Sequence, residues 1–554
     1  MTDRFRIALA QLNPCMGDIA GNLAKARAAR AEAAVADVFL FSELFITGYP
    51  PEDLVLKRAL QDDARDAVQA FAKDTADNGP AVLIGMPWRE SGKLYNAVAL
   101  LEGGRIGART FKHDLPNYGV FDEKRVFTPG PLTGPLEVRG VRLGVPICED
   151  IWTGEVVECL AETGAEILLV PNGSPYEAGK QEDMRLSLVA ARVKESGRPL
   201  VYLNQVGGQD ELVFDGASLV VNADLSVAWA FPAWQEKVAI TEWRRQGEGW
   251  VCLPGERAPA EERSQSVYHA MMLGLRDYVN KNHFPGVVLG LSGGVDSALS
   301  AAVAVDALGR ERVRCVMMPS RYTAQDSLDD AEECAQLLNV SYETIPIERA
   351  VDSFADTLRP VFAGRAADTA EENIQSRVRG LILMAVSNKF GPMVLTTGNK
   401  SEMSVGYATL YGDMCGGFNV LKDIYKMEVF ALARWRNRTV PTGALGPPGR
   451  VIPERIITKP PSAELRAGQT DQDSLPPYEI LDGILECLVE KEMSFEDVVA
   501  KGFDPATVRR VEHLLYISEY KRRQAPPGVK IGPRNFGRDR RYPITNAFRD
   551  ARDK

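Results

Sequence analysis

The chain has 554 residues, and at roughly 100–200 residues per domain, with some enzyme domains near 250, this calls for two large domains or several small ones. Its 45% hydrophobic and 25% charged residues match ordinary globular composition, which excludes disorder and fibrous repeats. With 65 Lys and Arg against 75 Asp and Glu the net charge is −10, so most of the surface repels nucleic acid, and only the basic stretch after Lys521 needs a local explanation. No apolar run approaches the ~20 residues that span a bilayer, and the opening MTDRFRIALAQLNP lacks a signal-peptide core. A cytoplasmic protein with neither membrane nor nucleic-acid partners is expected. Eight scattered cysteines and four histidines form no CxxC pair and no ligand cluster, which argues against disulfides and a zinc site.

From the start to about Glu242, short apolar segments alternate with helical stretches: RIALAQL, VFLFSEL, AVLIGMP, VRLGVPIC, EILLVPN, PLVYLNQV and ASLVVNAD. This pattern predicts a layered α/β domain. Three residues within it have the types that cysteine-based amide hydrolysis requires: a thiol nucleophile, a proton acceptor and a donor facing the oxyanion. Cys148 leaves the buried run VRLGVPIC and enters Glu149-Asp150-Ile151-Trp152, where a sharp turn would present its sulfur. Glu43 ends the strand-like VFLFSE, and Lys112 lies between a predicted strand and the loop that runs from His113 through Tyr118 to Glu123. An ammonium beside the thiol would lower its pKa, and the carboxylate would take its proton. Taken singly, each of the three reads better as a structural residue, a buried Cys or a salt-bridged charge.

The three segments, in this order, resemble the carbon–nitrogen hydrolase (nitrilase) family from roughly Arg4 to Glu242. The resemblance implies an α-β-β-α sandwich and a Glu–Lys–Cys triad, with Glu43 as general base, Lys112 supporting the oxyanion and Cys148 as nucleophile. The run Lys-x-x-Leu-Pro-Asn-Tyr-Gly-Val-Phe-Asp-Glu is similar to the glutaminase branch of that family, which places Tyr118, Ser174 and Lys180 around bound glutamine. Ordinary loop polarity is the alternative for these three.

A polar, Gly- and Pro-containing stretch from about Arg244 to Ser264 suits an exposed connection. It divides the chain into a domain over 1–245, a linker over 246–265 and a second domain over 266–554. A helix around Tyr268–Asn280, the strand VVLGL, a glycine turn, the helix ALSAAVAVDALG and the strands VRCVMMP and SYETIPI follow. Their order predicts a doubly wound, mainly parallel α/β sheet. Glu371 to Phe390 reads as a long amphipathic helix with Ile374, Val378, Leu381, Ile382, Ala385 and Val386 on its apolar stripe, and Asn373 beside it. The Pro/Gly-dense segment from Gly443 to Gln472 predicts a loop.

Ser292-Gly293-Gly294-Val295-Asp296-Ser297 sits between an apolar strand and a helix. Paired glycines let backbone N–H groups close around an anion, the helix N-terminus adds favourable partial charge, and Ser292 and Ser297 supply hydroxyls. Bare phosphate would repel Asp296, so a bridging cation, most simply Mg²⁺, is expected. SGGVDS resembles the pyrophosphate loop of the ATP pyrophosphatases, with no Walker lysine. Together with the helix ENIQSRVRG, Thr396-Thr397-Gly398-Asn399-Lys400-Ser401-Glu402, Tyr411-Gly412-Asp413, Lys422-Asp423 and Lys459-Pro460-Pro461-Ser462-Ala463-Glu464-Leu465, it resembles the synthetase domain of NAD synthetases from roughly Val267 onward.

That resemblance implies ATP contacts along Gly290, Leu291, Ser292, Gly293, Gly294, Val295, Asp296 and Ser297 and at Thr397. It implies contacts of Asn373, Glu402 and Lys521 with a deamidated dinucleotide, although Glu402 can instead join Asp296 on Mg²⁺. The two resemblances combined imply that ammonia released from glutamine crosses a dry passage and amidates the nicotinate dinucleotide, activated as an adenylate. ATP as co-substrate, Mg²⁺, and a homo-oligomer built on a synthetase-domain dimer are expected with it.

Overall fold

Along β1 (Arg4–Gln11), successive residues point to opposite faces of a sheet and both faces are covered. Ile7 and Leu9 enter one core, Ala8 and Ala10 another. The computed structural model to which this strand belongs describes residues 3–179 and 184–550. It divides into two units, Met1–Glu261 and Glu262–Lys554.

The first unit continues with β2 (Val38–Leu40), β3 (Ala81–Glu90), β4 (Lys93–Glu102), β5 (Arg105–Phe111), β6 (Leu136–Val138), β7 (Val141–Gly144), β8 (Ile167–Asn172) and β9 (Leu200–Asn204). A hairpin of β10 (Val206–Gln209) and β11 (Leu212–Asp215) follows, then β12 (Leu219–Val221), β13 (Val227–Ala230), β14 (Lys237–Gln246) and β15 (Gly249–Cys252). Among the described residues, one sheet has the order β15-β14-β1-β2-β3-β4-β5 and the other β13-β12-β9-β8-β7-β6. Ile7, Leu9, Leu40 and Leu83 from one sheet meet Leu143, Ile167, Leu169 and Leu203 from the other. Each such fully buried side chain contributes roughly 1.5–3 kcal/mol relative to exposure.

On the outer face of the first sheet, α1 (Ile19–Glu32) and α2 (Arg58–Asp74) pack Ala26, Ala29, Val68 and Phe71 over Ala8, Phe39 and Ile84. A single turn, α3 (Glu123–Val126), carries Glu123. On the outer face of the second sheet, α4 (Glu155–Glu162) and α5 (Leu186–Ser196) pack Val157, Leu160, Val189 and Val193 over Leu168, Val170 and Tyr202. This is the expected α-β-β-α sandwich.

The expected exposed linker over 246–265 differs from the observed chain. Residues 249–252 form β15, paired antiparallel with β14 at the edge of the first sheet. Trp243, Trp250 and Cys252 are buried there, with Phe5 against Trp250. Arg244 and Glu248 are exposed on this edge hairpin while Arg245 turns inward to pair with Glu166 and cover the Trp250 ring, so charges on both faces hide its alternation. Ala258 still donates its N–H to the Ala230 carbonyl, so the first unit holds the chain to within a few residues of the helix that opens the second.

The second unit runs α6 (Arg263–Lys281), β16 (Val287–Gly290), α7 (Val295–Leu308), β17 (Val313–Met317), α8 (Gln325–Leu338), β18 (Ser341–Thr344) and α9 (Glu348–Leu358). It continues with α10 (Thr369–Phe390), β19 (Met393–Thr396), α11 (Lys400–Val405), β20 (Phe418–Asn419) and α12 (Lys426–Arg438). The sheet order is β18-β17-β16-β19-β20, and every pair is parallel. Strand order reverses between β16 and β19, so a crevice opens at their C-terminal ends. Arg436 makes a bidentate pair with Asp306, which also accepts from the Tyr268 hydroxyl, and this buried network ties α6, α7 and α12 together.

The predicted stripe of α10 is partly displaced. Val378 is buried, but Leu381 is 62% exposed and Ala385 is exposed, whereas Gln375, Gly380 and Leu383 face inward. Gly380 packs against the backbone of residues 411–412, where a β-carbon would lie 2.9 Å from the Gly412 oxygen. The segment 443–472 is mainly irregular, with short turns of helix at Glu454–Thr458 and Asp471–Asp473. Among the described residues no helix is long and apolar enough to cross a membrane.

Candidate active sites

Glu43 lies three residues beyond β2, in a turn where Leu44 adopts φ 47°, and Lys112 follows β5 directly. Lys112 Nζ donates to Glu43 Oε1 at 2.7 Å and to Glu123 Oε1 at 2.9 Å, and both Glu43 and Lys112 have no exposed surface. Glu43 also accepts from Asn96 Nδ2 at 2.7 Å and from the Gly173 N–H at 2.9 Å. Glu123 accepts a further bond from the Tyr49 hydroxyl at 2.8 Å. Cys148 opens a one-turn 3₁₀ segment with φ 48°, a left-handed conformation rarely adopted by a non-glycine residue. The turn expected from the sequence is therefore present.

These charges act on one another. Burial raises the Cys148 thiol pKa well above its ordinary value, the Glu43 carboxylate raises it further, and Lys112 lowers it only in part. Lys112 does lower the thiol pKa, as expected of a neighbouring ammonium, but desolvation of a thiolate outweighs one ammonium that two carboxylates already share, so the net shift is upward. Burial opposes the charge on Lys112, but Glu123 and Glu43 overcome it and keep the ammonium protonated. Burial raises the Glu123 carboxyl.

Of the residues expected around glutamine, Tyr118 is 53% exposed and its hydroxyl donates to Glu149 at 2.9 Å. Ser174 is held through its backbone: its N–H donates to Asn204 Oδ1 at 2.9 Å, and its carbonyl accepts from Asn204 Nδ2 at 3.0 Å. Ser174 lines a small cavity with Trp152, Glu177, Arg185 and Tyr202. Arg185 is fixed there by Asp215 through two contacts of 3.0 Å. Lys180 lies outside the described residues.

In the second unit SGGVDS leaves β16 at the reversal of strand order and becomes the first turn of α7. Gly293 adopts φ 78°, and a β-carbon there would lie 2.3 Å from the Ser327 carbonyl oxygen, so the turn requires glycine both for conformation and for close approach to α8. Ser297 Oγ donates to the Gly294 carbonyl at 3.0 Å and lies 3.1 Å from Ser292 Oγ, which closes the loop on itself. Gly290 ends β16, and Leu291 donates its N–H to the Val316 carbonyl at 3.0 Å. Thr397 follows β19 at the other side of the crevice.

Asp296 and Glu402 come together through residues the sequence had not singled out. Asn399 caps α11, accepting from the Glu402 N–H at 3.0 Å, and its Nδ2 donates to Asp296 Oδ1 at 2.8 Å. Lys426 Nζ donates both to Asp296 Oδ2 and, at 3.2 Å, to Glu402 Oε1. Burial holds the Glu402 carboxyl above its ordinary range despite Lys426, and Asp296 and Glu402 raise the Lys426 ammonium against its own desolvation. Among the described residues no group of three or more His, Cys, Asp or Glu side chains is arranged to hold a metal.

Asn373 and Lys521 converge on the segment that follows α11. Asn373 Oδ1 accepts from the Thr409 hydroxyl at 2.9 Å, while Lys521 Nζ donates to the Gly406 and Ala408 carbonyls, both at 2.7 Å. Burial lowers the Lys521 pKa. Glu123, Lys426 and Asn399 escaped the sequence reading. Asn399 with Glu402 three residues later is a legible capping box, and Glu123 closed the quoted loop, but nothing distinguished Lys426 from other lysines.

A buried Glu–Lys pair beside a left-handed Cys, and in a second unit a glycine cradle at a sheet switch point, define an amide-hydrolysing module joined to a nucleotide-using one. Family models agree: carbon–nitrogen hydrolase matches residues 6–249 and NAD synthase residues 267–525. The glutamine-dependent NAD(+) synthetase of Rhodobacter capsulatus is 54% identical, over 99% of this chain and 100% of its own length. That of Xanthomonas campestris is 48% identical over 98% of both. The structure of the Acinetobacter baumannii enzyme in complex with ADP matches with a TM-score of 0.78 at 43% identity, covering 99% of this chain and 100% of that one. The chain belongs to the glutamine-dependent NAD(+) synthetase family, amidating ligases that use ATP.

Proposed function

We propose that Cys148 attacks the side-chain carboxamide carbon of glutamine while Glu43 takes the thiol proton and Lys112 donates to the oxyanion. The carrying observation is the fully buried Lys112 held between Glu43 and Glu123 in the unit that bears the left-handed Cys148. Because burial and Glu43 keep the thiol protonated at rest, attack and proton transfer proceed together rather than from a standing thiolate. Glu43 then returns the proton to the departing nitrogen, and ammonia leaves a thioester on Cys148. A water deprotonated by Glu43 hydrolyses this thioester to glutamate. Glu123 keeps the ammonium aimed. Tyr118, Ser174 and Lys180 hold the rest of glutamine.

In the second unit a nicotinate carboxylate oxygen attacks the α-phosphorus of ATP, pyrophosphate departs, and ammonia displaces AMP from the resulting acyl-adenylate. The N–H groups and hydroxyls of residues 292–297 receive the departing pyrophosphate, Gly290, Leu291 and Thr397 border the nucleotide, and Asn373 and Lys521 bind the deamidated dinucleotide. Asp296 and Glu402 suit Mg²⁺, since one cation, the Lys426 ammonium, already reaches both. Bound there, the metal would neutralise charge on the pyrophosphate.

The test is Cys148→Ala assayed for NAD formation with glutamine and, separately, with ammonium salt. Glutamine-driven turnover falls on the order of 10⁴-fold or more, while ammonium-driven turnover persists. Wild-type-like activity with glutamine removes Cys148 from the mechanism.

A further inference from the structure

The chain segments that carry Lys112 and Cys148 come from different strands, and one carboxylate grips both. Asp150 Oδ2 accepts the Ile147 N–H at 2.8 Å, and Oδ1 accepts the His113 N–H at 2.9 Å and the Asp114 N–H at 2.8 Å. Ile147 immediately precedes the nucleophile, and His113 and Asp114 immediately follow the oxyanion lysine. The Asp150 residue is 1% exposed. A second tie runs in parallel, from the Thr153 hydroxyl to Asp114 Oδ2 at 2.9 Å.

We propose that Asp150 is a positioning residue for glutamine hydrolysis: its carboxylate clamps the Cys148 turn to the Lys112 segment and so sets the approach of sulfur to ammonium. The inference rests on the roles assigned above to Cys148 and Lys112. Three donors converging on two oxygens need an ionised carboxylate, because an amide presents one acceptor oxygen and turns N–H groups toward N–H groups. Cys148 holds φ 48°, a strained conformation for a non-glycine residue that persists only where surroundings enforce it. Misplacement of a reacting group by about 1 Å costs on the order of 10²-fold in rate.

Asp150 is also poised to titrate. Burial pushes its carboxyl up to about 7, against the opposing effect of the three N–H groups and of Lys112. The charged group that acts on it is the Lys112 ammonium; of its chain neighbours, the Asp114 carboxylate accepts from the Thr153 hydroxyl, the Glu149 carboxylate from the Tyr118 hydroxyl, and the His113 ring lies against the Gly130 carbonyl. As pH falls through about 7 the carboxyl takes a proton, and one oxygen stops accepting.

Asp150→Asn in the full-length enzyme is expected to lower kcat for glutamine-driven NAD formation on the order of 10²-fold with KM for glutamine within about threefold, since the group touches no substrate. Ammonium-driven amidation is the folding control. A purely structural role would lower the melting temperature and leave kcat per folded molecule unchanged, and that result overturns the proposal. Cys148→Ala in the same assay separates the two readings: if it stays active the triad assignment fails, and if it is dead while Asp150→Asn keeps wild-type kcat only the clamp fails. Should the variant not fold, the unmutated enzyme decides. The Ile147, His113 and Asp114 amides that Asp150 holds are expected to be strongly protected from hydrogen exchange at pH 8 and less so, together with lower glutamine-driven kcat, as the buffer is acidified; unprotected amides at pH 8 refute the clamp.

Discussion

Replacing Lys112 by Met removes the one cation that two buried carboxylates share and leaves side-chain volume nearly constant. Lys112 and Glu43 have no exposed surface, and Glu123 is 6% exposed, so water cannot take over either carboxylate. Breaking a buried pair by removing one partner costs about 3–5 kcal/mol. At roughly 2–4 °C per kcal/mol for a unit of this size, melting of the first unit should fall on the order of 10 °C at pH 8. Burial already raises the Glu123 carboxyl in the intact protein, and without Lys112 the folded-state pKa rises further. The native state then binds more protons than the unfolded one, so stability is fully present at low pH and is lost as pH rises through the raised value. The variant should consequently recover toward wild type as the buffer is taken from pH 8 to pH 5. Calorimetry at several pH values, paired with glutamine- and ammonium-driven NAD formation, measures both effects. A Lys112→Met protein melting within about 2 °C of wild type at pH 8, or losing stability as pH falls, would show that the lysine does not neutralise these carboxylates.

Two more outcomes concern the second unit. Asp296→Asn should abolish amidation with either nitrogen source while glutamine hydrolysis, followed as glutamate release, continues; metal-dependent ATP binding that survives unaltered would argue against the assignment. Lys426→Met frees Asp296 and Glu402 from the ammonium that bridges them, so Mn²⁺ used as a paramagnetic probe should bind the variant without nucleotide, whereas wild type should need ATP to draw the lysine away. Equal Mn²⁺ binding by the two nucleotide-free proteins would mean that the lysine does not compete for the site.

Local signals in the chain settled a good deal. Strand runs such as RIALAQL and VVLGL, buried on both faces, read as continuous apolar segments because neither face meets water. SGGVDS between strand and helix marked its own glycine turn, and the passage from VRLGVPIC into a polar segment marked the sharp turn at Cys148. The β14–β15 hairpin was lost because charges lie on both its faces, and the stripe of α10 was misplaced because Gly380 packs on backbone, which no hydropathy pattern records. Three features belong to tertiary structure alone: Glu123 as second partner of Lys112, Lys426 astride Asp296 and Glu402, and the net rise of the Cys148 pKa. Each depends on which charges meet after burial across 11 to 130 residues of chain. Sequence specifies the ionisable groups, but desolvation and Coulomb energy are set by distances and dielectric that exist only once the strands have been laid side by side.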